Sequence, residues 1–459
     1  MPKRIFLILV VVLLLVACQG LPPPVTAPTQ EPVSQEEAQP SEMEAEAEAE
    51  PAEVEEELAE EITLRLFIPD GGGRPQGYTR VLEAYQEQNP NVKVELEVVP
   101  FGDYYGQLPV MWASDNPADL ALVDSADIQS HAYNGALATL DDVFTAEDMA
   151  DFLPAAVSEA SLNGQLYAAP LGVTTQGVFY NADMFADAGI EPPKTIEEAW
   201  TWDEYIENVT AVLENEAAKG NEDVWGVVYL TNPPNIDMWT HLVVRSFGEK
   251  DSPTFAGISP DGTTASGYLD TPEAFEAYQF WQDLYVDLKF APQSTVPDAF
   301  GTNKAATMIS FAAWGSVLNA VFPDLNWGVT PLPYKVTPIT QTGDFTPVVS
   351  ANGKQVDEAK KFIQFLASPE GVLLYNEVTD MIPARQSLLD DLPAFQEYPS
   401  KIFVDEMVAW GVPRPETPGH AIYNSIFGKM MVDLAQGADI QSTVEAAVLE
   451  IDAQLEQYK

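Results

Sequence analysis

Between Ile62 and Val99 the chain changes its apolar period twice. Ile62-Thr63-Leu64-Arg65-Leu66-Phe67-Ile68 alternates as a half-buried strand does. Pro69-Asp70-Gly71-Gly72-Gly73 breaks the run, and apolar residues then recur at helical spacing through Val81, Leu82, Tyr85 and Gln88. Val92 to Val99 alternates again. Strand, helix and strand this close together predict a βαβ unit and a mainly parallel sheet. The pattern returns downstream. Strands are expected at Leu120–Val123, Gly177–Tyr180, Ala306–Ser310 and Trp327–Pro331, and helices at Ala182–Ala188, Gln279–Val286, Val356–Leu366 and from Ile440 onward. No fixed-period repeat is present, which removes solenoids and propellers. At 459 residues the chain exceeds what one hydrophobic core supports, so at least two lobes are expected.

The first 61 residues are of another kind. Lys3 and Arg4 precede a twelve-residue apolar run, Ile5 to Val16, too short to span a bilayer but suited to a signal peptide over residues 1–17. The run ends Leu15-Val16-Ala17-Cys18, which resembles the bacterial lipobox, whose cysteine carries the lipid after cleavage. A thiol buried in an uncleaved segment is the plainer alternative. Residues 19–61 hold fourteen Glu, no Lys or Arg, and several Pro. Repelling charges predict an extended tether able to reach about 140 Å.

Charge and cysteine usage exclude several functions. The net charge is −50, and residues 62–459 alone carry −38, which repels nucleic acid. One cysteine and three scattered histidines, His131, His241 and His420, leave no basis for a disulfide framework or a metal site, and no cofactor is expected. The spacings of common nucleophile, metalloprotease, dinucleotide and phosphate-loop motifs are absent. Gly71 to Gly73 could cradle an anion, but lacks the Lys-Ser/Thr of a phosphate loop and reads better as a strand-to-helix turn.

Several stretches, in order, resemble the maltose-binding-like family of extracellular solute-binding proteins that feed carbohydrate ABC importers. They are Tyr180-Asn181-Ala182-Asp183-Met184-Phe185 with Ala188-Gly189-Ile190 and Pro192-Pro193-Lys194-Thr195; Lys304-Ala305-Ala306-Thr307-Met308 with Trp314-Gly315; Trp327 to Pro333; Ala359 to Glu370; and Ile382-Pro383-Ala384-Arg385. Phe67 stands where many members have Trp. The resemblance implies an α/β, two-lobed type II periplasmic-binding-protein-like fold, with two mixed sheets flanked by helices, hinge crossovers near Leu171–Thr175 and Gly343–Phe345, and a central cleft. The first lobe would hold residues 62–172 plus about 346–380, the second about 175–343 plus about 381–459.

By the same resemblance the cleft takes a sugar, and the lipidated monomer hands it to an ABC permease. Trp239 and Trp314 would be aromatic platforms or core residues, with Phe67 and Tyr423 as weaker platforms. Asp70, Asp124, Ser125 and Asp344 would share hydrogen bonds with hydroxyls, or merely cap turns. Tyr104, Thr174 and Arg385 complete the set, Arg385 serving equally well in a structural ion pair. A secreted carbohydrate-active enzyme, or a peptide or polyamine receptor, is the alternative. If Cys18 carries the lipid, Cys18→Ser moves the protein from membrane to soluble fractions; retention in the membrane pellet would refute the lipobox reading.

Overall fold

The computed structural model describes residues 61–229, 237–379, 381–389 and 391–459. The signal segment, Cys18 and the tether lie outside them. The expected βαβ unit opens the described chain: β1 (Ile62–Pro69), α1 (Arg74–Gln88), β2 (Val92–Val99), α2 (Phe101–Trp112) and β3 (Leu120–Asp124). β1 pairs in parallel with β2, Ile62 opposite Val92, and with β3, Leu66 opposite Leu120. Gly71, Gly72 and Gly73 have φ of 106°, 61° and 72°. Three left-handed residues in a row suit glycine alone, and they turn the chain from β1 into α1. The turn reading of that cluster therefore stands.

The chain then builds a second sheet from β4 (Gln176–Asn181), β5 (Trp225–Tyr229), β6 (Ala305–Phe311) and β7 (Trp327–Thr330), in spatial order β7-β4-β6-β5. Helices α3 (Asp237–Arg245), α4 (Pro272–Tyr285) and α5 (Trp314–Val321) belong to this stretch. β8 (Phe345–Val349) returns to the first sheet and runs antiparallel to β3, Phe345 opposite Asp124. Each sheet is mixed. All six residues of β4 are buried, as a strand covered on both faces requires. Its period-two alternation puts Val178 in a core with Trp202, Trp281 and Leu434, and Phe179 in another with Met308, Val329 and Phe403. The first sheet has its own core, including Leu66, Val81, Leu122 and Phe362.

The remaining helices divide between the sheets. Among them α6 (Val356–Leu366) and α7 (Pro369–Thr379) join the core of the first. An added Cβ at Gly77 on α1 would come within 2.8 Å of the Tyr375 ring on α7, so glycine permits that close approach. On the second sheet lie α8 (Ser400–Trp410), α9 (His420–Ala435) and α10 (Ile440–Leu455). The Trp281 indole donates to the Met431 carbonyl at 3.0 Å, and the Thr175 hydroxyl to the Phe403 carbonyl at 3.2 Å.

The chain crosses between the two layers in short paired segments. Gly172–Val173 runs antiparallel to Ile382–Pro383, and Thr340–Gln341 parallel to Gly411–Val412. At the first crossing the Thr174 hydroxyl and amide both donate to the Gly343 carbonyl, at 2.5 and 3.0 Å. These ladders fix which strand ends face the other lobe: the carboxyl ends of β1 to β3, β5, β6 and β7, and the amino ends of β4 and β8. Phe362 is fully buried and lies edge-to-face with Tyr85, centroids 5.1 Å apart. Phe362→Ala should lower unfolding free energy by about 3–5 kcal/mol in a denaturant titration; a loss below about 1 kcal/mol would show that the first core does not depend on it.

Candidate functional site

The chain end of β1 leaves Phe67 packed flat against Tyr104 of α2, ring centroids 5.0 Å apart. Tyr104 is buried, and its hydroxyl donates to the carbonyls of Leu122 and Phe67 at 2.5 and 3.1 Å. One residue on, the Tyr105 hydroxyl donates to Asp124 at 2.9 Å. Phe345, first residue of β8, meets both tyrosines edge-on at 5.8 Å. An aromatic wall thus stands on the strand ends of the first sheet. Opposite it runs the face of α9 bearing His420, Asn424, Ser425 and Lys429. Between them lies a cavity of about 950 Å³, extended on the first-lobe side by Trp112, Asp127 and His131. Trp112 has its indole N–H buried without a protein partner among the described residues.

The floor of this cavity is charged. The two ring nitrogens of His420 face Asp127 at 2.8 Å and Asp237 at 3.1 Å. Only an imidazolium can donate to both. Burial opposes that charge, but the two carboxylates overcome it and push the His420 pKa up to about 10. For Asp237 burial also works against ionisation, and Arg414 with His420 holds its pKa down to about 2. Arg414, from the loop after Gly411–Val412, pairs with Asp124 at the end of β3. Its second nitrogen lies 3.8 Å from Asp237. Burial, with the charge of Glu416 adding to it, pushes Glu159 up to about 7, against the Thr342 hydroxyl donating at 2.6 Å and the nearby Arg414. His241 is driven the other way, down to about 3, by burial and by Arg245.

The profile of the bacterial extracellular solute-binding proteins matches residues 80–402. The chain belongs to that family. A putative binding protein of Brucella abortus is 24% identical over 321 residues, 67% of this chain and 72% of its own. The diacetylchitobiose binding protein DasA of Streptomyces coelicolor is 26% identical over 343 residues, 72% of this chain and 75% of its own. An ABC transporter solute-binding protein from Thermotoga lettingae, solved with α-D-tagatose, superposes with a TM-score of 0.73 at 19% identity, covering 86% of this chain and all of that one. The two-lobed type II architecture expected from the sequence is the observed one.

As a solute-binding protein, the chain distributes its sequence-predicted site residues unevenly. Tyr104 and Asp124 line the cavity, with Phe67 stacked behind Tyr104. Ser125 and Thr174 sit at the crossing, the Ser125 amide donating to the Asp344 carbonyl at 2.9 Å. The Asp344 carboxylate pairs with Arg74 at 3.3 Å. Asp70 is exposed and accepts from the Gly71 amide, as a turn residue does. Trp239 is buried 4.4 Å from the Phe311 ring, and Tyr423 is buried with its hydroxyl on His241 and the Gly257 carbonyl. Arg385 pairs with Asp148 and Asp151 over the Phe152 ring. Trp314 opens α5 and walls a second pocket.

Tyr105, Trp112, Asp127, His420, Asn424 and Lys429 were not singled out from the sequence. Their helices, α2 and α9, were not recognised either: Gly102, Gly106 and Pro109 disguise the first, and in the second the exposed stripe Ala421, Ser425, Lys429 and Val432 is half apolar, which erases the polar period. The His420 shift carries a sign. A folded pKa above the unfolded value near 6.5 gives stability that is full below about pH 6.5 and lost as pH rises through about 10. Asp237, lowered, contributes above its unfolded value of 3.8 and loses that contribution as pH falls through about 2. Between pH 7 and 10 the protein should lose up to about 1.4 kcal/mol per pH unit through this group, and His420→Gln should flatten that slope. Equal slopes in denaturant titrations of both proteins would refute the imidazolium.

Proposed function

We propose that this protein captures a sugar, mono- or oligosaccharide, in the cavity between its lobes and presents it to an ABC importer on the outer side of the membrane. The observation that carries the reading is the pairing of walls: aromatic rings on one lobe and polar side chains of α9 on the other. A pyranose offers a face of C–H groups to a ring and a rim of hydroxyls to hydrogen-bonding groups. Trp112, Tyr105 and Phe345 supply the first surface, and Asn424, Ser425, Lys429 and the Trp112 N–H the second.

Contacts to both walls favour the closed arrangement, because a ligand shifts an equilibrium by its differential affinity for the two states. The crossings through Thr174, Gly343 and Ile382–Pro383 are the hinge about which closure occurs, and the permease distinguishes closed from open. The protein acts as a lipid-anchored monomer on Cys18, with residues 19–61 as its spacer, and returns its ligand unchanged. The ligands of DasA and of the Thermotoga lettingae protein, diacetylchitobiose and α-D-tagatose, support the sugar class.

The test is thermal unfolding of the purified protein against mono- and oligosaccharides, peptides and polyamines, with product analysis of each hit. A ligand at about 1,000 times its Kd adds about 4 kcal/mol, a shift of several degrees. A sugar recovered intact supports the reading; a hydrolysed sugar, or a response to peptides or polyamines alone, overturns it. Trp112→Ala should weaken the sugar by about 1–3 kcal/mol in titration calorimetry while leaving the ligand-free melting temperature within about 2 °C.

A further inference from the structure

The face of α9 that walls the interlobe cavity continues past it. Ala421, Ser425, Gly428 and Val432 succeed one another at three- and four-residue spacing along that wall. Met431, Val432, Ala435 and Gln436 then wall a second cavity of about 270 Å³. Val432 belongs to both. At ~1.5 Å per residue, Asn424 and Ala435 stand ~16 Å apart along the helix axis, so one face of one helix spans the two spaces.

The chemistry of that face changes along its length. Its first half presents His420, Asn424, Ser425 and Lys429, its second Val432, Met431 and Ala435. The second cavity is closed by Trp281, Met308, Trp314, Leu318 and Phe322. Ser294, Thr295 and Asp298 stand at its exposed rim, while polar groups deeper in are engaged. Gln293 donates to the Ala435 carbonyl at 3.0 Å, Gln436 to the Gln293 carbonyl at 2.9 Å, and Trp281 to the Met431 carbonyl at 3.0 Å. A sugar ring pushed into its depth, among Trp281, Met308, Leu318 and Phe322, would bury hydroxyls with few partners, whereas an aromatic ring or short alkyl group fits: an apolar cavity of about 150 Å³ already accepts benzene.

We infer that the ligand is a glycoside carrying an apolar aglycone, an aryl or short alkyl group, which lies along α9 with its sugar between the lobes and its apolar group in the pocket beyond Val432. The inference rests on the sugar reading above and adds the second half of the ligand. Trp314 thereby acquires a definite place, as a wall of the aglycone pocket.

Titration calorimetry on the purified full-length protein, in detergent-free buffer, tests it with matched methyl and phenyl glycosides of glucose, galactose, maltose and cellobiose, and of any other sugar that the unfolding panel returns. In at least one pair the phenyl glycoside should bind about tenfold or more tightly than the methyl glycoside. Thr295→Trp, at the exposed rim of the pocket, and Val296→Trp, partly buried in its wall, should each remove that gain while leaving the methyl glycoside within about twofold. Melting curves confirm that the variant used is folded. Equal affinities within every pair, or a gain that persists in a folded variant, overturns the aglycone pocket while the sugar reading survives. Failure of every sugar and glycoside, with binding of a peptide or polyamine, overturns both.

Discussion

Asp127, His420, Asp237, Arg414 and Asp124 form an unbroken chain of charges from the first sheet, through the loop after Gly411–Val412, to the start of α9. The rest of the binding region depends on it. Each of these groups is largely or wholly buried, and a buried charge deprived of its partner costs about 3–5 kcal/mol. The end of β3, the loop after Gly411–Val412 and the amino end of α9 are therefore held in register by electrostatics rather than by apolar packing alone. In a body with net charge −38, Arg414 and the His420 imidazolium are what permit three carboxylates to sit at the base of one cavity.

From that base the two walls rise with different chemistry. The aromatic wall is a product of strand ends: Phe67 closes β1, Phe345 opens β8, and α2 follows β2 directly, so Tyr104 and Tyr105 arrive beside them. The opposing wall is a single helix. Because α9 packs its other sides on α4 and α10, the face left to the cleft is narrow and long, which suits an extended ligand better than a compact one. The crossings at Thr174 and Gly343 leave the walls joined by short ladders, the arrangement that lets lobes move as units about a few residues.

How much of this was legible depended on the period of each segment. The helices Val356–Leu366 and Ala182–Ala188 and strand β2 were placed to the residue, and β1 to within one, because local period or a flanking cap or turn marks their ends. Helices α2 and α9 differ in kind from these: α2 carries two glycines and a proline, and α9 buries Tyr423, Phe427, Met430, Met431 and Leu434 while giving its remaining face to the cavity. Hence, Tyr104 apart, the half of the site that lies on helices went unread. Of the aromatic residues expected as platforms, Trp239 and Tyr423 were drawn into the core, where Phe311 and His241 are their neighbours.

The sequence by itself determined the two-sheet α/β class, the order of the first strands and helices, the turn at Gly71 to Gly73 and the family, since these follow from local period, backbone freedom and ordered motifs. It also put Asp124 at the end of a strand, whereas the place of Tyr104, four residues into α2, came from the structure. Tertiary structure alone decided that Asp124 meets Arg414 across 290 positions, that His420 is charged between Asp127 and Asp237, and that α9 lines both the interlobe cavity and a second, smaller pocket. Such pairings join segments from opposite ends of the chain, and no local pattern encodes a contact whose energy exists only after both lobes have folded.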